Sequence, residues 1–372
     1  FNSAGFGVGV AGTSGKSTTV GMLGWILQRA GKSPTIMNGA DMKNFMDVGS
    51  PFASARIGEG EIFLSEVDES DGSIAFYVPH IAVVNNVSLD HKSLDELRSL
   101  FRGFVAKAQT VVLNLDNAET AALLSGLQPG QAVTYSLGAA RADLVASPPV
   151  RSPVGVAFQV KARDTGATVE VALQVPGLHN VANALAALSA AKACGVSLAA
   201  AAAHLGEFSG IRRRLEVVGA ANEITVIDDF AHNPDKISAT LETLHAFPGR
   251  LLLMFQPHGY GPIRLMRDAL ADCFARELQD EDVLVMPEPV YFGGTADRSV
   301  GSNDIVCEIQ RRGRKAFAFP DRAACGDMLV RLARRGDRIV VLGARDDSLS
   351  QFARELLRRL AVPNDEGSIA AL

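Results

Sequence analysis

The chain is short of cysteine, and what it has is scattered. Its four cysteines, Cys194, Cys273, Cys307 and Cys325, form no CxxC pair in 372 residues. That spacing argues against a disulfide framework and a structural zinc site, and it suits a reducing cytoplasm. No apolar run reaches the roughly 18–20 residues a membrane span needs. The N-terminus lacks the charged and apolar regions of a signal peptide. A large excess of one charge is missing too. The net charge is −5 and the sequence pI about 5.9, so neither nucleic acid nor an anionic membrane is an expected partner. The basic clusters Arg212-Arg213-Arg214 and Arg311-Arg312-Gly313-Arg314-Lys315 are short, and the second reads as a solvated face. Aromatics are only 6%, against 47% hydrophobic and 21% charged residues. This is an ordinary globular composition, in a chain long enough for two domains with sizeable cores.

Strand-like and helix-like segments alternate. Phe6–Ala11, Glu61–Val67, His80–Val87 and Thr110–Asn114 read as strands, and Lys16–Ala30 and Leu94–Ala108 as helices. That rhythm predicts a doubly wound parallel α/β sheet. Val154–Ala162 and Ala167–Val175, joined by Arg163-Asp164-Thr165-Gly166, read as a hairpin at the margin. An Ala-rich helical region runs from about Leu178 to Leu205. After Arg214 the alternation restarts, with strands at Ile224–Asp228, Arg250–Gln256, Asp282–Pro287, Lys315–Pro320 and Arg338–Gly343. Two α/β domains are expected, 1–212 and 213–372. Phe1 lies within about five residues of a buried strand, an abrupt start that leaves room for a domain removed or left out ahead of it; whether one precedes it is not legible in the sequence.

The strongest local signal is Gly12-Thr13-Ser14-Gly15-Lys16-Ser17-Thr18, between a strand and a helix. Glycines let backbone N–H groups curl around phosphate oxygens, and the helix dipole adds to the attraction. Lys16 supplies positive charge for β- and γ-phosphates, and the Ser17 hydroxyl is a ligand for Mg²⁺. Val10 stands where a full-length phosphate loop has its first glycine, so the motif is the contracted form G-x-x-G-K-[ST]. A second signal, Glu66-Val67-Asp68-Glu69-Ser70-Asp71, puts four carboxylates at a strand's C-terminal end, where ligands bind in such sheets and where oxygen donors suit Mg²⁺.

Val8 to Thr18 resembles the contracted phosphate loop of the Mur ligases, folylpolyglutamate synthases and cyanophycin synthetases. The acidic segment is similar to the E-A-D-E-S-D of the alanine-adding and murein-peptide branch of the Mur ligase family, which implies Glu66 as a magnesium ligand. Val83-Val84-Asn85-Asn86-Val87-Ser88-Leu89-Asp90-His91 resembles a family segment ending in T-N-x-x-x-D-H. There the His serves a second metal ion and the Asn lies near the phosphates, here His91 and Asn86. Asn85 stands for the family's Thr, and Ser88-Leu89 for its common Glu-Pro. Pro176-Gly177-Leu178-His179-Asn180-Val181-Ala182-Asn183 resembles P-G-x-H-N-x-x-N, which implies that His179, Asn180 and Asn183 face the adenine. Phe208-Ser209-Gly210-Ile211-Arg212-Arg213-Arg214 follows F-x-G-x-x-R-R, implying that Arg213 or Arg214 at the hinge reaches the transferred phosphoryl group. Asp229-Phe230-Ala231-His232-Asn233-Pro234 resembles D-[YF]-[AG]-H-[NHT]-P, implying Asp229 on the ribose and His232 in the cleft. Phe255-Gln256-Pro257-His258-Gly259-Tyr260-Gly261-Pro262-Ile263-Arg264 corresponds to F-Q-P-H-R-Y-[ST]-R-x-R. His258, Tyr260 and Arg264 are kept, while Gly259 and Pro262 replace two arginines, which points to a different or less charged acceptor. Tyr291-Phe292-Gly293-Gly294-Thr295-Ala296-Asp297 departs from the family's Y-P-A-G-E.

The resemblance spans essentially the whole chain. It implies a P-loop central domain and a Rossmann-like C-terminal domain, the family's central and C-terminal parts. It implies an ATP-dependent ligase that joins a carboxylate to an amine through an acyl phosphate, with ATP and Mg²⁺ as cofactors. Lys16, Glu66, His91 and Arg213 are then catalytic, and Ser17, Glu66 and His91 hold metal. Nucleotide binding falls to residues 12–18 with Asn86, His179, Asn180, Asn183, Arg213, Asp229 and His232. The small-molecule substrates expected are a carboxylate, which a UDP-sugar such as UDP-N-acetylmuramate would supply, and an amino-acid or peptide amine such as L-alanine, in cell-wall peptidoglycan synthesis or recycling; the sequence does not name either one. A cyanophycin- or folylpolyglutamate-type ligase on another carboxylate, and a nucleotide-binding partner protein without ligation, are the alternatives. The oligomeric state cannot be read from the sequence.

Overall fold

A computed structural model describes residues 1–47, 52–88, 92–290 and 297–361 of the protein. The chain divides into two units, Phe1–Arg212 and Arg213–Leu372. His91, with Leu89 and Asp90, and the segment Tyr291–Ala296 lie outside the described residues.

The first unit is built on one 11-stranded sheet. Its strands are β1 (Phe6–Ala11), β2 (Thr35–Met37), β3 (Ala55–Arg56), β4 (Ile62–Glu66), β5 (Ile81–Val84), β6 (Thr110–Asn114), β7 (Ala132–Ser136), β8 (Leu144–Ala146), β9 (Val150–Ser152), β10 (Gly155–Ala162) and β11 (Thr168–Leu173). They lie in the order β11-β10-β8-β7-β6-β5-β1-β4-β2-β3, with β9 beside β10. Pairing is parallel from β2 through β8 and antiparallel at both margins. The central strands read as unbroken apolar runs because both faces are covered. Val83 and Val112 enter the core under the helices Lys16–Arg29 and Leu178–Ala193. Their neighbours Ala82, Val84, Val111 and Leu113 enter the opposite core, with Leu97, Phe101 and Phe104 of the helix Leu94–Val105.

The hairpin is present, pairing Val156 with Leu173 through Lys161 with Thr168. The Ala-rich region, expected as one helix, is two, Leu178–Ala193 and Leu198–Leu205. Gly195 takes the left-handed conformation that ends the first (φ 79°), and the Ser197 hydroxyl accepts from the Ala200 N–H to begin the second.

The second unit holds β12 (Glu216–Ala221), β13 (Ile224–Asp229), β14 (Leu251–Gln256), β15 (Val283–Pro287), β16 (Lys315–Phe319) and β17 (Arg338–Gly343), ordered β12-β13-β17-β14-β15-β16. All are parallel except β12, an antiparallel edge strand on β13. Leu251, Leu253 and Phe255 face one core, Leu252 and Met254 the other. No helix among the described residues is long and apolar enough to cross a membrane.

Candidate active site

In the first unit, β1 has β4 on one side and β5 on the other. Their C-terminal ends therefore bring three sequence motifs to one edge. Val10 is in register with Glu66 on β4, and Ala11 with Val84 on β5. The phosphate loop follows β1, the acidic run leaves β4, and Asn85-Asn86 leave β5.

The loop is fastened to the β5 segment. The Thr13 N–H donates to the Asn86 carbonyl at 3.0 Å and the Ser14 N–H to Asn86 Oδ1 at 2.9 Å, while Asn86 Nδ2 donates to the Ser14 carbonyl at 3.2 Å. Asn85 Nδ2 donates to Thr19 Oγ1 at 2.9 Å, inside the helix the loop opens. The glycines are required by contact as well as by conformation. A Cβ on Gly12 (φ 138°) would meet the Asn86 backbone at 3.1 Å, and one on Gly15 (φ 80°) would meet Asn183 Oδ1 at 2.3 Å.

Lys16 is held at two of its three donor positions. Its Nζ donates to the Gly12 carbonyl at 2.8 Å and to Glu69 Oε2 at 2.9 Å, with Asp68 at 3.9 Å. Glu69 is buried and Asp68 exposed. Glu66, the residue singled out for metal, accepts the Gly39 N–H on Oε2 at 2.9 Å. Asn38 Nδ2 donates to the Ser17 carbonyl at 3.1 Å, tying the loop after β2 to the start of the phosphate-loop helix. Asn38, Gly39 and Glu69 are additions to the motif reading. Asn-Gly after a three-residue strand is a weak signal, and Glu69 stood in the acidic run without a role of its own.

The donor set fits Mg²⁺. Glu66 keeps Oε1 free of hydrogen bonds among the described residues, and the Ser17 hydroxyl lies on the neighbouring element. Both are hard oxygen donors, and Mg²⁺ favours one or two carboxylates together with phosphate oxygens.

Asn180 and Asn183 point inward. Asn180 Nδ2 donates to the Pro176 carbonyl at 2.6 Å, and Asn183 Nδ2 to Asn180 Oδ1 at 3.1 Å. Thr19 Oγ1 donates to Asn183 Oδ1 at 3.4 Å. Asn183 thus supports the phosphate loop from beneath Gly15. His179 is exposed, its ring beside Gly177.

In the second unit β17 is inserted between β13 and β14, so their following segments meet at one edge. Asp229 is buried, with Oδ2 accepting the Leu215 N–H at 2.6 Å and Oδ1 accepting from Ala231 N–H and Thr240 Oγ1. It shapes the turn that carries His232. His232 Nδ1 lies 2.9 Å from the Phe230 carbonyl, and its ring is edge-on to His258 at 5.3 Å. Burial, followed by the nearby Lys236, pushes His232 down to about 4. It is therefore neutral near pH 7, with Nδ1–H as donor to the carbonyl and Nε2 as an acceptor. Burial also lowers His258, with Arg345 contributing.

Arg213 is committed to the interior of its unit. Its Nη2 donates to the Gly343 carbonyl at 2.7 Å, Nε lies 3.5 Å from Asp228 Oδ1, and the guanidinium sits over Phe230. A side chain this buried does not fit the expectation that Arg213 reaches a phosphoryl group. Burial was not legible in three consecutive arginines. Arg214, only partly buried, also lies over the Phe230 ring.

Residues 10–191 match the Mur ligase middle domain, and residues 213–345 the glutamate ligase domain of Mur ligases. The UDP-N-acetylmuramate–L-alanine ligase of Pelotomaculum thermopropionicum is 34% identical over 367 residues, 95% of this chain and 76% of that protein. The chain belongs to the Mur ligase family. Among other Mur ligases, the UDP-N-acetylmuramate–L-alanine ligase of Geotalea uraniireducens is 32% identical over 95% of this chain and 76% of its own length. Of solved Mur ligase structures, UDP-N-acetylmuramate-alanine ligase of Thermotoga maritima superposes with a TM-score of 0.75 at 25% identity, over 96% of this chain and 76% of that one. A murein peptide ligase of Psychrobacter arcticus gives 0.68 at 25% identity, over 98% and 78%. The fold is thus that of a Mur ligase, a P-loop domain followed by a Rossmann-like one, and family members are ATP-dependent, ADP-forming ligases.

Proposed function

We propose that this Mur ligase joins the carboxylate of UDP-N-acetylmuramate to the amine of L-alanine at the expense of ATP, in the cytoplasm. The observation that carries this reading is the Lys16 ammonium, fixed by Gly12 and Glu69 in a phosphate loop whose glycines admit no side chain. The naming of the substrates rests on the relatives.

The carboxylate oxygen attacks the γ-phosphorus, forming an acyl phosphate and expelling ADP. Lys16 offers its remaining N–H to the charge that develops on the phosphate oxygens. The amine nitrogen then attacks the acyl carbon, inorganic phosphate leaves, and the nitrogen gives up its proton. Ser17 and Glu66 would hold Mg²⁺, together with His91, and that ion supplies electrostatic neutralisation of phosphate charge. The backbone amides of Gly15 to Thr18, at the start of the phosphate-loop helix, orient the phosphates, and Asn86 holds the loop in place through Thr13 and Ser14. His179 and His232 are assigned to the nucleotide, while Asn180, Asn183 and Asp229 act by fixing the loops that carry it. Phosphate release that requires both UDP-N-acetylmuramate and L-alanine, and fails in Lys16→Ala, is the test of this reading.

A further inference from the structure

Gln256 on β14 is in register with Gly343 on β17. Two residues beyond that rung, the chain presents His258 on one side and Arg345 on the other. Arg345 takes φ 58°, the left-handed region that favours glycine and strains an arginine. Such a residue persists only where its surroundings or its use hold it, so the outlier invites a functional explanation.

The side chain is exposed, and among the described residues it has no hydrogen-bond or ion-pair partner, while its positive charge helps to lower His258. Of the two carboxylates that follow it, one is hydrogen-bonded and the other is exposed near Arg213. Asp346 accepts from Ser348 and Arg322, and Asp347 lies 3.7 Å from Arg213. The β14 side of the rung has no cation to offer at its start, because Gly259 is followed by Tyr260, Gly261 and Pro262. His232 and His258 are near-neutral rings, and the charged groups acting on them are cations: Lys236 and Arg214 on His232, and Arg345 on His258. Such surroundings favour an anion over a cation, and an exposed guanidinium is a planar two-toothed donor for one.

Resting on the proposed function, we infer that Arg345 is a specificity-determining residue that binds the carboxylate of the amino-acid substrate whose amine is ligated. A phosphate of the nucleotide shares that chemistry, and the experiment separates the two. Arg345→Gly suits the backbone conformation, so it tests the side chain without endangering the fold. It is expected to melt at a higher temperature than the wild type. Its KM for L-alanine is expected to rise about ten- to a hundredfold, the range for losing a hydrogen bond to a charged group. Neither its KM for ATP nor its KM for L-alaninamide, which lacks the carboxylate, should change. Arg345→Lys, which keeps the charge and loses the fork, should fall between. An unchanged KM for L-alanine, or a rise in the KM for ATP instead, would overturn the assignment. Direct binding of L-alanine by saturation-transfer NMR keeps the test independent of turnover. If the wild type forms no product, the proposed ligation fails. Arg345 is then still supported if L-alanine binds the wild type and not Arg345→Gly, and is overturned if it binds both or neither.

Discussion

Lys16, half-buried, and Glu69, buried, form an ion pair, Nζ to Oε2 at 2.9 Å, that fixes the phosphate-loop ammonium in the absence of any phosphate. With the Gly12 carbonyl as second acceptor, one N–H direction remains. Lys16→Ala should abolish ADP formation. Glu69→Gln preserves shape but removes the charge that anchors the lysine, and misplacement of a catalytic group can cost up to about a hundredfold in rate. A steady-state ADP assay beside a thermal melt checks this: the melt should move little while kcat/KM for ATP falls. Wild-type kinetics in Glu69→Gln would make the pair incidental.

Gly15→Ala should be damaging for two independent reasons. The position has φ 80°, and the new Cβ would lie 2.3 Å from Asn183 Oδ1. A non-glycine held in such a conformation costs on the order of 1–3 kcal/mol before the clash is counted. Chemical denaturation of the first unit should show a loss of at least that size, and nucleotide binding by calorimetry should be lost. Adding Asn183→Ala should recover part of the stability by removing the clash.

Arg213→Ala should destabilise the second unit, because it removes the cation facing the fully buried Asp228 carboxylate and leaves that charge the Ser350 hydroxyl as its hydrogen-bond donor. Breaking a buried pair at one partner costs about 3–5 kcal/mol. If Arg213 served only a phosphoryl group, the melt would stay put and only turnover would fall.

The pH dependence of the second unit contains two opposed contributions. Burial raises Asp228 to about 6, against hydrogen bonding by Ser350 and the charge of Arg213. The native state then binds this proton more readily than the unfolded chain, so stability falls as pH rises from about 4 to 6. His232 is lowered to about 4, so the native state resists its protonation and stability rises as pH climbs from 4 through the ordinary histidine range. His258 acts in the same direction as His232. Asp228→Asn should therefore steepen the rise of stability between pH 4 and 6, and His232→Gln should weaken it. Urea melts across that range are the measurement, and two variants with the wild-type profile would refute the assignment.

Much of the fold was legible because parallel strands between two helical layers are unbroken apolar runs; β1, β6 and β17 carry the bounds read from the sequence. The strands β2, β3 and β8, of two or three residues, and the mixed β12 were not, since so few side chains set no period. The helix break at Gly195-Val196-Ser197 had its signal, a glycine before an N-cap serine, but the surrounding alanines obscured it. At the site, the loop, the acidic strand end and the Asn pair could be read as motifs, because each leaves a strand on the same edge. Their mutual contacts could not. That Asn183 lies beneath Gly15, and that Arg213 turns inward to Asp228, depend on packing between elements distant in sequence.

The most direct test is mass spectrometry of the product formed from Mg-ATP, UDP-N-acetylmuramate and L-alanine, with Lys16→Ala in parallel. One amide-linked product per ADP released is expected with the unaltered protein, and none with the variant. ADP released without an amide product, or ATP bound without turnover in the presence of both substrates, would contradict it.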